Sequence, residues 1–104
     1  MISGYNAVKI LSVEKPNWLP MVKASLELAK ENGEFAGSWV LNRLKEIGIN
    51  WFPGLRTLTA YKILERIDTS RGGRRAYYKM LDPDGVEKAL KEIETKNIKN
   101  KKLS

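Results

Sequence analysis

A mainly helical α+β fold, built as a three-helix core, a two-stranded β-hairpin and a C-terminal helix, is what this sequence predicts. Three observations carry that prediction. Apolar residues recur at helical spacing in three separate stretches, the period then changes to alternation around a Gly-Gly pair, and helical spacing resumes after an Asp-Pro-Asp start signal. A chain of 104 residues suits one cooperative core, and 42% hydrophobic with 30% charged residues describes a globular body rather than a disordered one.

Residues 1–15 leave three readings open around Ala7-Val8-Lys9-Ile10-Leu11-Ser12-Val13: a short strand, an extended arm or a first helix. The domain assignment places an N-terminal arm or short strand there, ahead of a folded domain over 16–95 and a basic tail over 96–104. Pro16-Asn17-Trp18-Leu19-Pro20 opens the first core helix, because proline lacks an N–H that the first turn could not pair anyway. Leu19, Val22, Leu26 and Ala29 form its apolar face, and Asn32-Gly33 supplies the left-handed stop. The second helix runs from about Ser38, a suitable N-cap, to Ile47, with Val40, Leu41, Leu44 and Ile47 inward and Gly48 ending it.

After Ile49-Asn50-Trp51-Phe52, the pair Pro53-Gly54 leads into a third helix over about 54–62. Leu55, Leu58 and Tyr61 fall on its inner side; Arg56, Thr57, Thr59 and Ala60 fall outside or at the borders. A helix ending in glycine, a short turn and a second short helix is the spacing of a helix-turn-helix unit. Runs 64–69 and 74–80 then flank Ser70-Arg71-Gly72-Gly73 and read as a hairpin over 64–80. Ala76, Tyr78 and Met80 share one face of its second strand; Arg75, Tyr77 and Lys79 share the other. Asp82-Pro83-Asp84 starts the last helix: Asp82 caps free N–H groups, Pro83 fits the first position, and Asp84 offsets the positive dipole end. Val86, Leu90 and Ile93 continue its apolar stripe, and the lysine-rich end from Lys96 reads as frayed.

Cysteine and histidine are both absent, which removes thiolate metal sites, disulfides, cysteine nucleophiles and imidazole acid–base chemistry. The acidic residues alternate with lysine along helices and form no ligand-like cluster. No enzyme activity, metal or cofactor is therefore expected. No apolar run approaches the ~18 residues of a membrane span, and no signal-peptide pattern opens the chain, so a cytoplasmic, nucleoid-associated protein is expected.

The formal charge of +7 is unevenly spread. Residues 1–52 carry six basic and five acidic groups, and residues 82–104 carry six and five, whereas 53–81 carry seven basic against two acidic. Five of the six arginines (Arg56, Arg66, Arg71, Arg74 and Arg75) lie in that middle stretch. Arginine makes forked contacts with phosphate and guanine, so the stretch reads as a focused basic patch. An edge hairpin also uses charge to avoid aggregation, but four arginines within 66–75, without balancing acids at the tip, exceed that need. Gly72 and Gly73 let the tip turn tightly and approach a nucleic acid backbone. Its arginines can then enter a minor groove or clamp phosphates. On the third helix, Arg56 suits guanine or phosphate, Thr57 and Thr59 suit hydrogen bonds, and Ala60 suits a thymine methyl. Tyr77 either donates to a phosphate or stacks on Arg75 or Lys79. Trp18, Trp39 and Trp51 read as core or dimer contacts rather than base-stacking platforms.

Leu58-Thr59-Ala60-Tyr61-Lys62-Ile63-Leu64-Glu65-Arg66 is similar to the end of a recognition helix entering a first wing strand. Arg71-Gly72-Gly73-Arg74-Arg75-Ala76-Tyr77-Tyr78-Lys79-Met80 is similar to a wing tip and its returning strand, and Asp82-Pro83-Asp84-Gly85-Val86 to the entry of the last helix. On these segments the sequence resembles the winged helix-turn-helix family of archaeal and bacterial transcription regulators, broadly the MarR-, ArsR- and PadR-like groups. It departs from the pattern at Lys62, where such families often carry glycine. The resemblance implies double-stranded DNA as partner, with the helix at about 54–62 in the major groove and the wing on phosphates or the minor groove. It further implies a homodimer through the N-terminal segment and the first and last helices. With no effector domain or sensor cysteine, a ligand-sensing role does not carry over. RNA binding, and a winged-helix protein-interaction module meeting an acidic partner, are the competing readings.

Overall fold

The computed structural model describes the backbone of residues 4–68 and 76–103 and the side chains of 4–67 and 77–95. Helix α1 spans Gly4–Glu14 and buries Gly4, Ala7, Val8 and Leu11, one face at helical spacing. This corrects the arm-or-strand assignment for 1–15. The stripe of small and apolar residues is satisfied only by a helix lying on another helix, and α1 packs most extensively on α5, Pro83–Leu103. Two glycines permit the close approach. A Cβ on Gly4 would stand 2.8 Å from the Asp82 carbonyl oxygen, and one on Gly85 would stand 2.9 Å from the Tyr5 nitrogen. The backbone of α5 continues through Leu103, so 96–103 extends the helix instead of forming a separate frayed tail.

A single 3-10 turn, Pro16–Trp18, turns the chain into α2, Leu19–Asn32. Gly33 ends α2 with φ 79°, and its N–H bonds to the Ala29 carbonyl at 2.8 Å. Helix α2 buries Met21, Val22, Ala24, Ser25, Leu26 and Leu28, and packs on α1, α3 and α5. A three-residue strand, β1 (Glu34–Ala36), feeds directly into α3, Gly37–Glu46. Ala36, not Ser38, therefore occupies the N-cap, and no side chain bonds the α3 start. Val40 and Leu44 are buried, whereas Ile47 lies beyond the helix and is 61% exposed, which corrects its inward placement.

Helix α4 spans Arg56–Ala60, shorter at both ends than the expected 54–62. Gly54 at φ 106° delays its start, and Lys62 at φ 65° turns the chain out of it. Strands β2 (Leu64–Asp68) and β3 (Ala76–Met80) pair antiparallel from Leu64↔Met80 to Asp68↔Ala76. β1 pairs with the far edge of β3, with Phe35 opposite Tyr78. The sheet therefore has three strands in the order β1-β3-β2, correcting the two-stranded expectation. β1 is joined because Phe35, fully buried, stacks on Tyr78 with centroids 6.5 Å apart. The protein is mainly helical with a small antiparallel sheet. Phe35, Leu11, Met21, Leu44, Leu58, Ile63 and Leu64 are its largest fully buried side chains. No described helix is long and apolar enough to cross a membrane.

Candidate nucleic-acid interface

Burial of Leu55 and Leu58 fixes which side of α4 faces outward. The exposed side presents Arg56 and Ala60, while Thr57 and Thr59 are half-buried at its borders. The Thr59 hydroxyl donates to the Arg56 carbonyl at 2.7 Å, so its proton is already committed to the helix. Tyr61 caps the end of α4, and its hydroxyl donates to Glu14 Oε1 at 2.5 Å, tying α4 to α1. That hydrogen bond, with desolvation and the Glu14 charge adding to it, raises the Tyr61 pKa above the ordinary phenol value. Lys62 follows, exposed and in the left-handed region. A hydrogen bond from the Ile63 N–H to the Leu58 carbonyl at 3.0 Å closes the turn.

The hairpin emerges beside α4. Arg66 is exposed on β2, opposite Tyr78 in register. Lys79 is exposed on β3 and pairs with Glu65 across the hairpin at 3.3 Å, so part of its charge is neutralised locally. Tyr77 makes an edge-to-face contact with Trp39 of α3 at 5.9 Å, the partner that sequence reasoning had sought in Arg75 or Lys79. Tyr78, half-buried, packs against the core as expected. Arg71, Gly72, Gly73, Arg74 and Arg75 lie outside the described residues. The tryptophans divide: Trp18 is buried, while Trp51, 43% exposed, sets its ring 5.1 Å from Trp18 at an interplanar angle of 81°.

Several cations elsewhere are paired with carboxylates. Arg43 binds Glu27 at 3.0 Å and Glu31 at 3.2 Å, bracing α2 against α3; these bonds, led by Glu31, raise its pKa despite desolvation. Lys23 pairs with Glu94 at 3.3 Å, Lys9 lies 3.7 Å from Glu92, and Lys30 pairs with Glu87. The last contact holds the Glu87 carboxyl below the ordinary range. By contrast Arg56, Lys45 and Lys62 are exposed and, among the described residues, make no ion pair. Among the described residues, Lys23, Lys30 and Arg43 are matched by carboxylates, whereas Arg56 on α4 and Lys62 just beyond it are not. Comparison with family models, curated proteins and solved structures finds no match for the chain.

Sequence reasoning passed over three residues here. Lys62 entered only as a departure from a pattern, although it counts in the basic stretch. Trp39 and Glu14 position Tyr77 and Tyr61 from elements distant in sequence, and no local signal marks such pairs. Among the described residues, no group of three or more metal-ligating side chains comes together.

Proposed function

We propose that this chain is a winged helix-turn-helix protein that binds double-stranded DNA. In this reading α3 and α4 form the helix-turn-helix, α4 enters the major groove, and the hairpin of β2 and β3 is the wing. One observation carries it: Arg56, the single cation of α4, and Lys62 just beyond it are exposed and make no ion pair among the described residues, whereas Lys23 and Lys30 of α2 and Arg43 of α3 are each matched by a carboxylate. Unpaired, uncommitted cations are those available to phosphates, and their release of counterions makes affinity fall with salt. The five wing-tip residues 71–75 add three arginines to the same hairpin. Ile10 and Val13 project from the free side of α1, at 44% and 82% exposure, and support a two-fold pairing through that helix. Such a pair would present two α4 helices to successive major-groove faces.

Fluorescence anisotropy with random duplex DNA across a salt series tests this reading. The wild type should show log affinity falling with log salt at a slope of about −0.9 per phosphate neutralised. Lys62→Ala should lower the slope by about one such increment, and Arg71→Ala/Arg74→Ala/Arg75→Ala by up to about three. Negligible binding at low salt, or tighter binding to duplex RNA than to DNA, would refute it. Sedimentation equilibrium of the wild type and Val13→Lys tests the pairing; a wild-type monomer at micromolar concentration would refute that part.

A further inference from the structure

On the reading that α4 enters the major groove, its side chains say how much sequence it can distinguish. Helix α4 has five residues and so spans about 7.5 Å, roughly two base-pair steps. Leu58 is fully buried and unavailable. The Thr59 hydroxyl proton is held by the Arg56 carbonyl at 2.7 Å, and the Tyr61 phenol proton by Glu14 at 2.5 Å, so neither can donate to a base without breaking a bond already made. Thr57 is half-buried. Ala60 is exposed but offers only a methyl contact, which distinguishes thymine weakly. Lys62 is a point charge on a flexible stem, suited to a phosphate rather than to a pattern of base-edge acceptors. Arg56 alone combines exposure, freedom from ion pairing among the described residues and a planar fork that matches the two acceptors of guanine in the major groove.

We infer that α4 reads DNA at one base pair, through Arg56 on a guanine, and is otherwise indifferent to sequence. One forked arginine–guanine contact discriminates by about ten- to a hundredfold. Proteins that single out an operator discriminate by about a thousandfold or far more against bulk DNA. Each α4 therefore contributes only a modest preference, with its affinity dominated by phosphates.

The test is enrichment of a randomised duplex pool by the full chain, followed by sequencing and by competition titration of the enriched duplexes. Wild-type protein should enrich one major-groove guanine for each α4 engaged, two symmetry-related guanines for a two-fold pair, with each position contributing about ten- to a hundredfold. Arg56→Lys, which keeps the charge but not the fork, should abolish that guanine preference while leaving the salt slope unchanged. Two results overturn the inference while leaving DNA binding standing. One is an enriched motif with more than one specified base pair per α4 that Arg56→Lys abolishes; the other is the same enriched motif from wild type and Arg56→Lys. Failure of the wild type to retain any of the pool at low salt would instead overturn the DNA reading, and this inference with it.

Discussion

Removing the Asp82 side chain tests the joint on which the packing of α1 and α5 depends. Its carboxylate serves both helices at once. Oδ1 accepts the Gly85 N–H at 3.2 Å, capping α5, and Oδ2 accepts the Gly4 N–H at 3.0 Å, holding the start of α1. Losing an N-cap costs about 1 kcal/mol, within a range of about 0.5–2. Gly4 is buried, so its N–H would be left without the carboxylate where water has little access, and an orphaned buried donor costs about 1–3 kcal/mol. Asp82→Ala should therefore destabilise by roughly 2–4 kcal/mol, a large part of the 5–15 kcal/mol typical of a domain. Read as a melting temperature, at about 4–8 °C per kcal/mol for a small domain, the loss is on the order of 10–30 °C. Asp82→Asn keeps one acceptor oxygen and should lose about half as much. Thermal and urea unfolding followed by far-UV circular dichroism measures both. A loss below about 0.5 kcal/mol for Asp82→Ala would show that neither hydrogen bond contributes and would refute the double-cap account.

Three further outcomes are expected. Ser25 is fully buried in α2 and its hydroxyl has no hydrogen-bond partner among the described residues, so Ser25→Ala should raise stability by about 1 kcal/mol in urea unfolding; a decrease would mean that the hydroxyl is bonded. Lys62→Gly should relieve a left-handed residue and stabilise by about 1 kcal/mol, while lowering the salt slope of DNA binding by about one phosphate; a variant less stable than wild type would refute the strain. The Tyr5 and Tyr61 hydroxyls donate to Glu92 and Glu14, and both pKa values are raised, first by those bonds. Since the folded values exceed the unfolded ones, this stabilisation is complete below about pH 10 and is lost as pH rises through the folded values. Tyrosinate absorbance should show a late-titrating step that Tyr5→Phe and Tyr61→Phe each diminish, and an unchanged titration in both variants would refute the pairing.

The elements that sequence reasoning located are those whose start and stop are set by residues within the element. Pro20, Asn32 and Gly33 bracket α2, and Asp82 and Pro83 mark the start of α5, because caps and prolines act on neighbouring backbone groups. The hairpin partners 64–68 and 76–80 were legible for the same reason, through alternation on either side of a glycine pair. β1 was not: three residues carry too little alternation, and what makes them a strand is Tyr78, far along the chain. α1 stayed open among three readings because Ala7-Val8-Lys9-Ile10-Leu11 suits strand or helix, and the decision rests on Gly4 and Gly85 letting two helices touch. At the site, the exposure of Arg56 and Ala60 followed from the spacing of Leu55 and Leu58. The pairs Tyr61–Glu14 and Tyr77–Trp39 did not, since each joins elements with no sequence relation.

Lys62 ties the fold to the proposed chemistry. The turn from α4 into β2 requires a left-handed residue, the conformation that glycine adopts without steric penalty and that costs a side-chain-bearing residue about 1–2 kcal/mol. Lysine gains nothing in return from packing, because it is exposed and makes no ion pair among the described residues. What it adds over glycine is a positive charge just past the C-terminal end of α4, ahead of the hairpin. Part of that cost is offset by the negative C-terminal end of α4, and on the proposed DNA reading the charge also has a use outside the folded chain. On that reading a phosphate of a duplex lying against α4 meets the Lys62 ammonium rather than the helix end itself, whose exposed carbonyls repel anions.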